Sequence, residues 1–167
     1  MCMPVNIEES IKLVVPVNKR LDVGVAMNAI AHSVAGIINH IGEDGRFKLK
    51  FIDFEDLNGQ KHPSISARSF IILRGTDNDI RKVRHSAQEA GVPFVSFVST
   101  MTGETYVEQL IRTKATPSIE LTFYSIALVG RSDVLHPITK RYSLWRGEPP
   151  ANEEFINTSA SNTISQG

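Results

Sequence analysis

A chain of 167 residues has room for one domain with a substantial core and none for two independent cores. Hydrophobic residues at 41% and charged residues at 22% lie near globular averages, which excludes wholesale disorder, collagen-like sequence and coiled coil. Lys plus Arg equals Asp plus Glu at 18 each, so the chain lacks the positive footprint that gives affinity for a phosphate backbone, and nucleic acid is not an expected partner.

The N-terminal stretch MCMPVNIEES has neither a basic segment nor an apolar run, and no stretch of about 18 apolar residues follows, so no membrane contact is expected. Cys2 is the only cysteine, which rules out an internal disulfide and a thiolate cluster, and a reducing, cytoplasmic location is expected. Residues 1–10 read as an extension, 11–146 as a single domain and 147–167 as a flexible tail, the last because GEPPANEEFINTSASNTISQG lacks the apolar surface that would offset the entropy of ordering it.

Ile11 to Val17 is a short β-branched run that suits a strand buried on both faces; Pro16, having no N–H, must sit at an edge, a bulge or the strand's end. Val23 to Ile41 carries Met27, Ile30, Ala31, Val34, Ile37, Ile38 and Ile41 at helical spacing, with Asp22 as a plausible N-cap. The small residues Gly24, Ala26, Ala29, Ala31, Ser33, Ala35 and Gly36 allow this helix to approach a sheet closely. Phe47 to Phe54 alternates as a half-buried strand, Glu55 to Ser66 reads as a loop, and Phe70 to Leu73 as a second buried strand. Thr76 or Asp77 then caps a helix through Ile80, Val83, Ala87 and Ala90, stopped by Gly91, and Val95 to Val98 is a third strand. Thr100 to Gly103 leads into a helix with Tyr106, Val107, Leu110 and Ile111 on one face. Leu121 to Val129 is a further strand, Asp133 to Lys140 a helix that Pro137 would break or restart, and Tyr142 to Trp145 a last short strand. The alternation of strand and helix predicts a three-layer α/β/α domain on a mixed, largely parallel sheet of four to five strands.

Lys12 to His32 (KLVVPVNKRLDVGVAMNAIAH), His62 to Ser66 with Phe70 to Leu73, Met101 to Tyr106 (MTGETY) and Lys140 to Arg146 (KRYSLWR) resemble a bacterial family known as a domain of unknown function, DUF2000, over roughly residues 11 to 146. That family is similar in fold to type II peptidyl-tRNA hydrolases, whose strand, Gly-containing turn and small-residue helix ending in Ala-His are matched here by Gly24 and Ala31-His32. The resemblance implies the hydrolase fold. It does not bring the chemistry: the lysine of that pattern falls on Val25, and its later Asp turn falls on Ser99-Thr-Met-Thr-Gly103, which has no acid. Losing both charged groups would cripple that reaction.

Asn28 and His32, four apart, share a helix face from which both could reach a ligand; against this, a histidine on a small-residue helix packed on a sheet is more often a structural group bonding a backbone carbonyl. Thr100, Thr102 and Tyr106 stand where a strand hands over to a helix, the edge at which open α/β sheets bind ligands; simple capping by Thr100 or Thr102 is the alternative. His62 and Ser64 form no convincing nucleophile and base, and Arg81-Lys-Val-Arg-His85 reads as a solvated face. No HExxH, P-loop or GxGxxG occurs, so neither metal nor cofactor is expected. These residues predict a small anionic ligand at Asn28, His32, Thr100, Thr102 and Tyr106, bound without peptidyl-tRNA hydrolysis. A hydrolase of a small ester or amide, or of peptidyl-tRNA, with rearranged residues and a protein-interaction module are the alternatives, and a homodimer is compatible with either. Nothing in the residues decides between enzyme and binding protein.

Overall fold

Ile11–Asn18 and Phe123–Arg131 are nearly continuous apolar runs because both are strands covered on two faces. The computed structural model describes residues 10–44 and 49–146. Its elements run β1 (Ile11–Asn18), α1 (Val23–Asp44), β2 (Phe51–Glu55), β3 (Lys61–Ser66), β4 (Ser69–Gly75), α2 (Asp77–Glu89), β5 (Phe94–Val98), α3 (Tyr106–Ala115), β6 (Phe123–Arg131), α4 (Ser132–Thr139) and β7 (Ser143–Leu144). The proposed tail, 147–167, and all but the last residue of the proposed extension lie outside the described residues.

The main sheet has five strands in the order β5-β6-β1-β4-β7. Alternate side chains of its central strands enter two cores. Val14, Ile126 and Leu128 meet Ile80, Val83 and Ala87 of α2 and Leu135 of α4 on one face. Leu13, Val15, Val17, Ala127 and Val129 meet Ala26, Ile30, Ile37 and Ile41 of α1 on the other. This gives three layers, α1 on one side and α2 with α4 on the other.

The sheet is not largely parallel. Only β1 and β4 run parallel, whereas β1–β6, β5–β6 and β4–β7 are antiparallel. The reason lies in α3, which buries none of its residues. Tyr106, Val107, Leu110 and Ile111, expected to share a packing face, are 65% to 74% exposed. A helix that does not cover the sheet is an end connection and not a crossover, so β6 returns beside β5 in the opposite direction.

Four further expectations give way. Phe47 to Phe54 is not a half-buried strand, and 55–66 is not a loop: β2 and β3 pair as a separate two-stranded sheet whose residues are all exposed, and Phe47 lies outside the described residues. Its turn is built by Asp56, whose Oδ1 accepts from the N–H groups of Asn58 and Gln60, followed by Gly59 at φ +80°. Pro16 lies inside a central strand, at neither edge nor end. The register of β1 with β6 is the same on both sides of Val15 and Pro16, where no pair forms, so the missing N–H costs one gap in the ladder and not the strand. Pro137 neither breaks nor restarts α4, whose eight residues have few interior bonds to lose and are held by buried Leu135 and Thr139.

At α2 Thr76 is the N-cap. Its hydroxyl accepts from the Asp79 N–H, and the Asp79 carboxylate accepts from the Thr76 N–H at 2.9 Å and hydroxyl at 2.8 Å. These bonds from Thr76 hold the Asp79 pKa below its ordinary value. A depressed carboxylate stabilises the fold above its unfolded pKa, and that contribution is lost as pH falls through the folded one. Asp79→Ala should cost about 1 kcal/mol at neutral pH, and the gap between mutant and wild-type denaturant midpoints should close in acid. Arg81, expected on a solvated face, instead donates to Ser118 O at 2.7 Å and to Leu121 O, and lies 4.9 Å over the Phe123 ring. It ties the segment before β6 to α2.

Candidate functional site

Helix α1 turns Ala26, Ala29, Ile30 and Ser33 toward the sheet, which leaves Asn28 and His32 on its outer side, one turn apart. Ser125 of β6 fixes this contact from below, its Oγ 2.9 Å from Ala29 O and 3.1 Å from Ser33 Oγ. The His32 ring stacks on Phe97 of β5, centroids 5.2 Å apart and planes within 17°. His32 makes no hydrogen bond among the described residues, so bonding a backbone carbonyl is not its role.

Beyond Phe97 the chain makes a 3-10 turn at Ser99–Met101 and then two left-handed residues, Gly103 at φ +67° and Glu104 at φ +53°. The left-handed region is unfavourable for glutamate, so its surroundings must hold it. They do so from α3. Gln109 Nε2 donates to Gly103 O at 2.6 Å, and the Arg112 guanidinium donates to Thr100 O, to Thr102 O and to Glu104 Oε2, the last at 2.8 Å. The docking of α3 is therefore a polar clamp on one loop. Its own N-cap is Thr105, not Thr100 or Thr102: the Thr105 hydroxyl accepts from the Glu108 N–H and the Glu108 carboxylate accepts from the Thr105 N–H. Those bonds from Thr105 lower the Glu108 pKa.

Between α1 and α3 this leaves a cleft of about 660 Å³, floored by Phe97 and Met101 and walled by Tyr106 and Leu110. Four of the five residues singled out from the sequence, Asn28, His32, Thr102 and Tyr106, line it. Thr100 does not. It is 8% exposed, and its hydroxyl is bonded to Thr113 Oγ1 at 2.7 Å. The cleft opens beside the second and third turns of α1 and not at its start. Sequence reasoning missed Phe97, Gln109, Arg112 and Glu104. Gln109 and Arg112, three apart, share a helix face, but nothing local shows that this face meets the loop.

His62 of β3 lies 3.7 Å from the Asp56 carboxylate across the hairpin turn, makes no bond to Ser64, and does not line the cleft. No group of three His, Cys, Asp or Glu side chains able to hold a metal ion occurs among the described residues, and no described helix is long and apolar enough to cross a membrane.

The sequence profile described as "Protein of unknown function (DUF2000)" matches residues 11–146. The chain belongs to the DUF2000 family. The matched span takes in every element that builds the cleft. A solved structure of a protein of unknown function from Agrobacterium tumefaciens strain C58 superposes with a TM-score of 0.67 at 19% identity, covering 81% of this chain and 98% of that one. This likeness shows that the two share a fold. No curated protein matches the chain.

Proposed function

We propose that this DUF2000 domain binds a small molecule in the cleft between α1 and α3. The observation that carries the reading is convergence: Asn28, His32 and Tyr106, none with a hydrogen-bond partner among the described residues, surround an apolar floor of Phe97 and Met101. A concave, mostly apolar pocket of 300–1,000 Å³ with a few directed polar groups is the usual form of a ligand site. Asn28→Leu or Tyr106→Ala should weaken any metabolite returned by a binding screen about tenfold or more, the scale of one lost hydrogen bond or ring contact. Both should leave the denaturant midpoint unchanged. Arg84→Ala, on the exposed side of α2, should leave affinity as it is. Full affinity in both cleft variants, measured by calorimetric titration, would place the site elsewhere.

We read the finer fold as that of type II peptidyl-tRNA hydrolases, on the strength of the β1–turn–α1 unit with Gly24 and Ala31-His32. The purified chain should nevertheless release no tRNA from a peptidyl-tRNA above the uncatalysed rate, because Val25 replaces the lysine and the 99–103 segment offers no acid. Release at an enzymic rate would sink this. A protein-interaction module is the second reading, favoured by Val107 and Ile111, each 65% exposed on α3.

A further inference from the structure

We infer that the ligand of this cleft is an uncharged planar ring bearing a carboxamide or lactam edge, and not an anion; the inference rests on the cleft being the binding site. The donors beside the start of α3, where an anion would sit, are already engaged. Thr102 Oγ1 donates to Ser99 O at 2.7 Å, and Gln109 Nε2 donates to Gly103 O. The positive end of α3 is answered by the carboxylate of its own Glu108, which accepts from the Thr105 N–H and hydroxyl. The nearest cation on the clamp, Arg112, is turned onto three oxygens of the loop and is not part of the lining. Among the lining residues there is no Lys or Arg, and the full charge present is the Glu104 carboxylate. Glu104 is itself paired with Arg112 at 2.8 Å, so the lining offers no free cation, and an anion entering here would give up hydration without gaining a counter-ion.

The groups left unpaired are of another kind. The Asn28 side-chain amide offers two donors and one acceptor, and Gln109 retains its amide oxygen. The two ring nitrogens of His32, one turn from Asn28, add further polar positions on the same wall. Donors and acceptors are offered together, by Asn28 and His32 from α1 and by Gln109 from α3; this matches an amide edge, which presents both, whereas a carboxylate presents acceptors alone. Much of the remaining lining is apolar. The parallel His32–Phe97 pair, Met101 and Leu110 suit a ring that stacks or slides between side chains.

Nicotinamide and nicotinate test this directly, because they share one ring and one shape and differ in carrying a neutral carboxamide or a carboxylate. Each is titrated against the full chain and followed by nuclear magnetic resonance at the Asn28 and Gln109 side-chain amides and the His32 ring. A fragment of this size in a fitting site binds with a Kd of about 1 mM. Nicotinamide should shift the cleft signals at that concentration and bind at least tenfold more tightly than nicotinate, and Asn28→Leu should abolish the preference. Nicotinate binding as well or better at the same signals would overturn the ligand class while leaving the cleft as the site. Shifts confined to residues outside the cleft, or no shift with either compound, would also overturn it. The cleft itself would then stand or fall on the Asn28→Leu and Tyr106→Ala titrations described above.

Discussion

Leu128→Ala should destabilise the domain by about 3–5 kcal/mol, the largest effect expected from a single truncation here. Leu128 is 0% exposed and sits in the middle of β6, paired with Val14 on one side and Phe94 on the other. Its side chain enters the core formed with Ile80, Val83 and Ala87 of α2. The hole left by three carbons cannot close, because two hydrogen-bonded strands hold the backbone and a helix spans the opening, so the cavity cost adds to the lost transfer energy. With total stabilities of about 5–15 kcal/mol, such a change lowers Tm by about 10 °C for a chain of this size. Calorimetric unfolding measures it. A loss under 1 kcal/mol would mean that α2 settles onto the sheet as the cavity forms.

The second large effect is expected at Gly36, where α1 packs closely on Val95 of β5. A Cβ placed at Gly36 would lie 2.9 Å from Cγ1 of Val95, a distance that real side chains do not tolerate. Gly36→Ala gains about 1 kcal/mol of helix propensity against this overlap, so the two terms nearly cancel. Gly36→Val gains less propensity and adds two branched methyls, and it should cost about 1–3 kcal/mol. Val95→Ala removes the opposing methyl groups, so in the double variant the cost of Gly36→Val should fall by at least half. Denaturant midpoints of the four proteins give the coupling; additive changes would show that the helix accommodates the new side chain by moving elsewhere.

The parts of the fold that could be read from the chain are those set by local pattern. Ile30, Val34, Ile37 and Ile41 mark the inner face of α1, and Ala26, Ala29, Ser33 and Gly36 mark the line of close approach, because a period of 3.6 maps sequence onto a surface. Strand direction has no such signature. Tyr106, Val107, Leu110 and Ile111 have the spacing of a buried face, and only the tertiary arrangement shows that α3 is docked through Arg112 and Gln109 with that face open. The β2–β3 hairpin was hidden for the opposite reason. Its alternation is genuine, but it belongs to an exposed ribbon with no core beneath it, and the Asp56 to Gly59 turn lay inside a stretch too polar to suggest strands. Asn28, His32, Thr102 and Tyr106 come together because a helix face and a strand-to-helix corner are local features. Thr100 differs because it lies one residue too deep, with its hydroxyl drawn to Thr113.

The polar clamp that seats α3 gives the cleft wall a thermal behaviour different from that of the core. The cores on both faces of the sheet are held by apolar burial, whose strength fades on cooling and whose loss raises the heat capacity. Seating α3 removes almost no apolar surface from water; it joins a guanidinium and an amide to carbonyl oxygens. Exposing such groups changes heat capacity little, and with opposite sign. Cooling is therefore expected to weaken the body of the domain relative to the seating of α3. The seating of α3 is accordingly expected to respond to temperature through Arg112 and Gln109, apart from the melting of the sheet.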